Sequence, residues 1–322
     1  MLRYILLFLF AIFLSFLSIS NNAYGQEDND KKKAEQQSEK AEKKEGNAEE
    51  SKDEVNETPE TSTRPQRSEI DIIAPVDEMV TKTSDLKHYL PADIVQPLLV
   101  GPDDHITLIN TNNAMNNKGI MILLPDWQQS ASNPKALNTL RETFPDHGWT
   151  TISVLPPNKP KNYPSQAIEK IQREEENETT LKDYQQLLST IMSAITEKAK
   201  NYPGIIVVVA EGHNAAILLS IYQQEMTEQP TALVMLGAHL NDEIANLASA
   251  THLSQLDLPV LDLYLKADNR LARQNAQLRQ KWVNQELKSD FRQQQIYNIQ
   301  TSYYPKPALI SAINGWLKSI GW

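Results

Sequence analysis

A chain of 322 residues with a formal net charge of −10 and no cysteine can form no disulfide, no thiolate metal site and no lipid-modified N-terminal cysteine. An acidic chain without a basic patch argues against nucleic acid as a partner, and the run Lys31-Lys32-Lys33 reads as a solvated stretch. No pattern asks for a cofactor, so the fold must rest on a packed core.

Met1-Leu2-Arg3, the apolar run Tyr4 to Leu17 and the small-x-small triplet Ala23-Tyr24-Gly25 together predict a secretory signal peptide over residues 1–25. Its apolar run falls short of the ~20 residues that span a bilayer. Cleavage would leave a periplasmic protein with no transmembrane segment; the alternative is an uncleaved anchor in the inner membrane. Residues 26–68 read as a disordered charged linker. Within it, Gln26–Glu60 holds 13 acidic and 7 basic residues, a net −6, with too little apolar content to offset chain entropy. As a flexible coil the ~38 residues to Thr63 would reach about 30–40 Å.

Residues 69–322 suit one α/β domain. His105–Asn110 and Gly119–Leu124 read as strands, and the Asn- and Gly-bearing link between them predicts a hairpin. Pro134–Phe144 reads as a helix and Trp149–Leu155 as a strand. Asn158–Glu178, polar and charge-rich, reads as a loop, and Leu181–Lys200 carries a helical apolar stripe. Strands follow at Ile205–Val209, Ala232–Leu236, Pro259–Leu265 and Phe291–Ile299, with helices at His213–Gln223, Asn269–Leu287 and Pro307–Ile320. Apolar strands alternating with helices imply a doubly wound, mostly parallel sheet with helices on both faces.

The most telling segment is Gly204–Ala216, GIIVVVAEGHNAA. A β-branched run meets a helix with only a glycine between them, which is the strand–turn–helix of a hydrolase nucleophile elbow. Taken as G-x-S-x-G, the pentapeptide is Gly212 to Ala216, with Asn214 in the nucleophile's place. A carboxamide forms no ester intermediate. An Asn near a helix start also has a plainer reading, as a cap accepting a backbone N–H.

The runs Lys118–Asp126, Phe144–Ser153 and Leu258–Tyr264, with Asn314-Gly315-Trp316-Leu317-Lys318, resemble a family of bacterial exported proteins with an α/β-hydrolase-like domain of unknown function (domain of unknown function 3530). The resemblance implies that fold and an exported location, and it brings no substrate. Hydrolases of this fold order their triad Ser, Asp or Glu, His. Here Asp268 suits the acid station and Asp262 lies inside its strand, but the last histidine is His252, before the loop where the base belongs. Ser130 and Ser132, after the strand Gly119–Leu124, have no evident base.

Ligands of open α/β sheets bind outside the carboxyl ends of the strands. Asp126, Glu211, His213, His239, Asp242 and Asp268 all follow strand ends, where they would converge in one crevice; the candidate pocket is Asp126, Trp127, Glu211, His213, Asn214, His239 and Asp268. Their spacing matches no metal motif, so no metal is expected. Trp127, Trp149, Trp282, Trp316 and Trp322 read first as packing residues. The basic side of the helix from Asn269, with Arg270, Arg273, Arg279 and Lys281, reads as a solvated face. The resulting expectation is a non-catalytic scaffold that binds a small ligand or a cell-envelope protein, with a degenerate triad; the alternative is an esterase or acyl-transfer enzyme with an unconventional nucleophile.

Overall fold

The computed structural model describes residues 75–101 and 103–322. The signal peptide and the whole of the charged linker expected from the sequence therefore lie outside the described residues. Helix α1 (Glu78–Tyr89), capped by the Asp77 carboxylate, leads into strands β1 (Val95–Val100) and β2 (Asp103–Asn110). Then come β3 (Gly119–Leu124), α2 (Ala136–Thr143) with a 3₁₀ turn over Phe144–His147, β4 (Trp149–Val154) and the long α3 (Lys170–Ala199). The remainder alternates: β5 (Ile205–Glu211), α4 (Gly212–Gln223), β6 (Ala232–Leu236), α5 (Glu243–Gln255), β7 (Val260–Leu265), α6 (Arg270–Gln285), β8 (Phe291–Ile296) and α7 (Lys306–Ser319). None of these helices is long and apolar enough to cross a membrane.

The eight strands form one sheet in the order β1-β2-β4-β3-β5-β6-β7-β8. It is parallel from β4 to β8, while β2 runs antiparallel to both β1 and β4. The hairpin expected between β2 and β3 does not form. Every residue of β3 is buried, so it needs a strand on each side, and β4 and β5 take those places; β2 makes its hairpin with β1, which the sequence reading missed along with α1.

Side chains alternate across the sheet and feed two cores. Ile120, Ile122, Leu124, Val208 and Met235 face α3, α4 and α5, where they meet Leu188, Ile191, Ile217 and Leu253. Met121, Leu123, Val207, Val209 and Val234 face α2 and α7, where they meet Leu140, Leu309, Ile313 and Trp316. Trp127, Trp149 and Trp316 are buried as expected, but Trp322 is 41% exposed and Trp282 only partly covered.

Two further expectations give way. The segment read as a loop to Glu178 is helical from Lys170. Its Lys, Gln and Glu residues are good helix formers, and Lys170 pairs with Glu174 one turn on, so charge density there marks an exposed helix. The basic side of α6 is not wholly solvated either. Arg279 is buried, with Nε 2.8 Å and Nη2 3.0 Å from the two oxygens of the buried Asp262, and Nη1 donates to the Ala238 carbonyl.

Candidate functional site

In the parallel part of the sheet Leu124 lies beside Ala210, Glu211 beside Leu236, and Leu236 beside Leu263. The loops leaving β3, β5, β6 and β7 therefore start at one level and converge. They enclose a cavity of ≈ 360 Å³ whose lining includes Asp126, Glu211, His213, His239 and Asp268. Five residues singled out from the sequence thus meet at one site. Trp127 lies behind them, its ring stacked on His213 at 4.0 Å. Asp242 does not join: it caps α5 and accepts from the Asn177 side chain.

The turn from β5 to α4 falls two residues earlier than the pentapeptide placed it. The left-handed residue is Gly212, at φ +58°, and it follows the strand directly. Strain at this turn is what lifts a hydrolase nucleophile above the sheet, so the nucleophile's station is Gly212, which has no side chain. Asn214 is instead the third residue of α4 and fully buried. Its amide donates to the Pro125 carbonyl at 2.6 Å and its oxygen accepts the Tyr184 hydroxyl at 2.9 Å. It ties the helix to the loop after β3 and to α3, and it caps no backbone N–H.

The space above Gly212 is filled from the loop after the neighbouring strand β3. A Cβ on Gly212 would stand 2.5 Å from Asp126 Oδ2. Asp126 Oδ1 accepts the Trp127 N–H at 2.9 Å and the His213 N–H at 3.0 Å. An α/β-hydrolase builds its oxyanion hole from the N–H after the nucleophile and an N–H of the loop after β3. By position these two amides are His213 and Trp127, and both are spent on the protein's own carboxylate.

His213 Nδ1 lies 3.1 and 3.0 Å from the Asp126 oxygens. Nδ1 donates there, and Nε2 is buried without a partner. Glu211 Oε2 is likewise buried and unpartnered. Burial pushes the Glu211 carboxyl up to about 7, helped by the charge of Asp126, so near neutrality it exchanges a proton. His239 Nδ1 donates to the Gly237 carbonyl at 2.8 Å, and its Nε2 faces the Asn269 amide at 3.3 Å. Burial foremost, then the neighbouring His213, lowers its pKa. Asp268 accepts backbone N–H bonds from Leu265 and Asn269, which hold it at the acid station with no imidazole in contact. No group of three or more His, Asp or Glu side chains among the described residues is arranged to hold a metal.

Ser130 and Ser132 do not line the cavity. Ser302 does: it sits in the loop after β8 at φ +59°, with no base bonded to its hydroxyl, and sequence reasoning gave no signal for it. Lys135, Asn269 and Tyr304 also line the site and were missed for the same reason. The Ser–His contact recorded among the described residues, Ser220 Oγ to His252 Nδ1 at 3.0 Å, lies between α4 and α5, away from the strand ends.

The family model described as "Protein of unknown function (DUF3530)" matches residues 7–319. The chain belongs to this family. Among solved structures it is similar to Est1E from Butyrivibrio proteoclasticus, at 10% identity, with a TM-score of 0.50 over 71% of this chain and 99% of that one. It is also similar to an alpha-beta serine hydrolase homologue from Coxiella burnetii, at 12% identity and a TM-score of 0.49 over 72% and 100% of the two chains. The likeness to Est1E speaks to the fold, which is that of the α/β hydrolases, and not to activity. No curated protein sequence matches the chain.

Proposed function

We propose that this chain is a non-hydrolytic member of the α/β-hydrolase fold, exported to the cell envelope, that binds a small polar ligand in the cavity at the carboxyl edge of its sheet. One observation carries the reading: Asp126 lies over the side-chain-less Gly212 and takes both amides that would stabilise an oxyanion. The acyl-transfer chemistry of such a site needs an activated nucleophile and a free oxyanion hole, and here one carboxylate occupies the place of both. The cavity retains polar groups suited to holding a ligand, with Glu211 and His213 each keeping a buried atom unbonded.

The alternative, an acyl-transfer enzyme with an unconventional nucleophile, rests on Ser302, which reaches the cavity without a base. A fluorophosphonate probe and short acyl esters separate the two readings. The purified protein is expected to remain unlabelled and inactive; labelling that is lost in Ser302→Ala would establish the enzyme instead. Export rests on the N-terminal sequence. A mature N-terminus at Gln26 in the periplasmic fraction is the expected result, and an intact Met1 in the membrane fraction would replace it with the anchored form.

A further inference from the structure

On the helical face of the sheet lies a larger cavity of ≈ 660 Å³ whose walls are helices. Its floor is one face of α4, Ile217 and Ser220, with Gln224 just past the helix. One wall is a stripe of α3 in which Ile171, Glu174, Glu178 and Leu181 recur every three or four residues and which runs on to Gln185. The other wall is α5, with Ile244, Ala248 and His252 four residues apart. Three helical stripes thus face one trough. From Ile171 to Gln185 the α3 wall is about 21 Å long at 1.5 Å per residue, so the complement is elongated.

The apolar side chains at its mouth are unpaired with protein: Ile171 is 71% and Ile244 53% exposed. None of the first seven residues of α3 is buried, so this end of the helix stands clear of the core. The lining is also predominantly acidic. Glu174, Glu175, Glu178 and Asp242 are set against Lys182 alone, and Glu174 is shared with Lys170 outside the trough. At the floor the His252 ring meets the Ser220 hydroxyl, and burial lowers the His252 pKa.

We infer that this trough is a docking site for a basic amphipathic helix of a partner protein. Ridges at helical spacing on both walls receive a helix. Its apolar stripe would cover Ile171 and Ile244, and its Lys or Arg residues would meet the glutamates of α3. The site is separate from the carboxyl-edge cavity, and the inference stands or falls independently of the proposed function.

The test uses the full chain and a fluorescent 18-residue peptide with Leu at i, i+3, i+4 and i+7 positions and Lys elsewhere, read by anisotropy at moderate salt. Saturable binding is expected. Glu175→Lys with Glu178→Lys should weaken it at least tenfold, and Ile244→Gln several-fold, with circular dichroism and thermal midpoint unchanged. Glu286→Lys, at an exposed residue just past the C-terminal end of α6 and outside the trough's lining, should leave it intact. The inference is overturned by absence of saturable binding, by equal binding of the peptide with Glu in place of Lys, or by an equal loss in Glu286→Lys, which would mean diffuse charge attraction. It is also overturned if the chain self-associates at these concentrations and Ile244→Gln abolishes that, since a second copy would then own the trough.

Discussion

Gly212→Ser would return a hydroxyl to the turn where a hydrolase carries its nucleophile, and the structure predicts that its main effect is loss of stability. A residue with a Cβ at φ +58° costs about 1–2 kcal/mol against glycine. In addition, the new Cβ would stand 2.5 Å from Asp126 Oδ2 and 2.6 Å from its Cγ, so the carboxylate must move away. It then gives up the Trp127 and His213 amides and the His213 ring. Hydrogen bonds to a charged group are worth about 1.5–3 kcal/mol each. Hydration of the displaced carboxylate returns part of that, which leaves a total on the order of 3–5 kcal/mol. With a urea m-value of about 3 kcal/mol/M the midpoint should fall by roughly 1–2 M. Asp126→Ala alone should also destabilise, by about 2–4 kcal/mol, because two buried N–H groups lose their acceptor. In the Asp126→Ala background, however, Gly212→Ser should add only the backbone term, about 1–2 kcal/mol. Urea melts of the four proteins give the coupling energy directly. An unchanged midpoint for Gly212→Ser, or the same increment in both backgrounds, would refute the placement of Asp126 over the turn.

Two further predictions follow from buried charges. The Glu211 carboxyl is raised from 4.5 to about 7, so the folded state binds more protons than the unfolded chain between those values. The stability this provides is full below pH 4.5 and is lost as pH rises through 7, a change on the order of 3 kcal/mol; Glu211→Gln should flatten that slope in urea melts from pH 5 to 8, and an identical slope in both proteins would count against it. Arg279→Met should cost about 3–5 kcal/mol by stranding the Asp262 carboxylate in the core, and adding Asp262→Leu should recover much of this; a thermal midpoint barely moved by Arg279→Met alone would show that the pair is not buried.

The sequence by itself determined the architecture of the parallel sheet. β3 and β5 to β7 are apolar throughout or nearly so, and such strands are stable only between neighbours and under helices. It also showed that no histidine follows His252 within these 322 residues and that the run Gly212 to Ala216 holds no Ser in any register. That Asp126, Glu211, His213, His239 and Asp268 share one edge was legible as well, because each follows a strand end and parallel strands end together. The tertiary structure decided the rest. Which residue bears the strained turn depends on φ, and the run Gly212-His213-Asn214 admits more than one register until the backbone fixes it. Asp126 reaches an amide 87 positions along the chain only because β3 and β5 are neighbours, and pairing order is a contest among strands that no local signal settles. Arg279, on a helix that looked solvated, is drawn inward by one carboxylate on β7, because an ionised Asp262 in the core must have a partner.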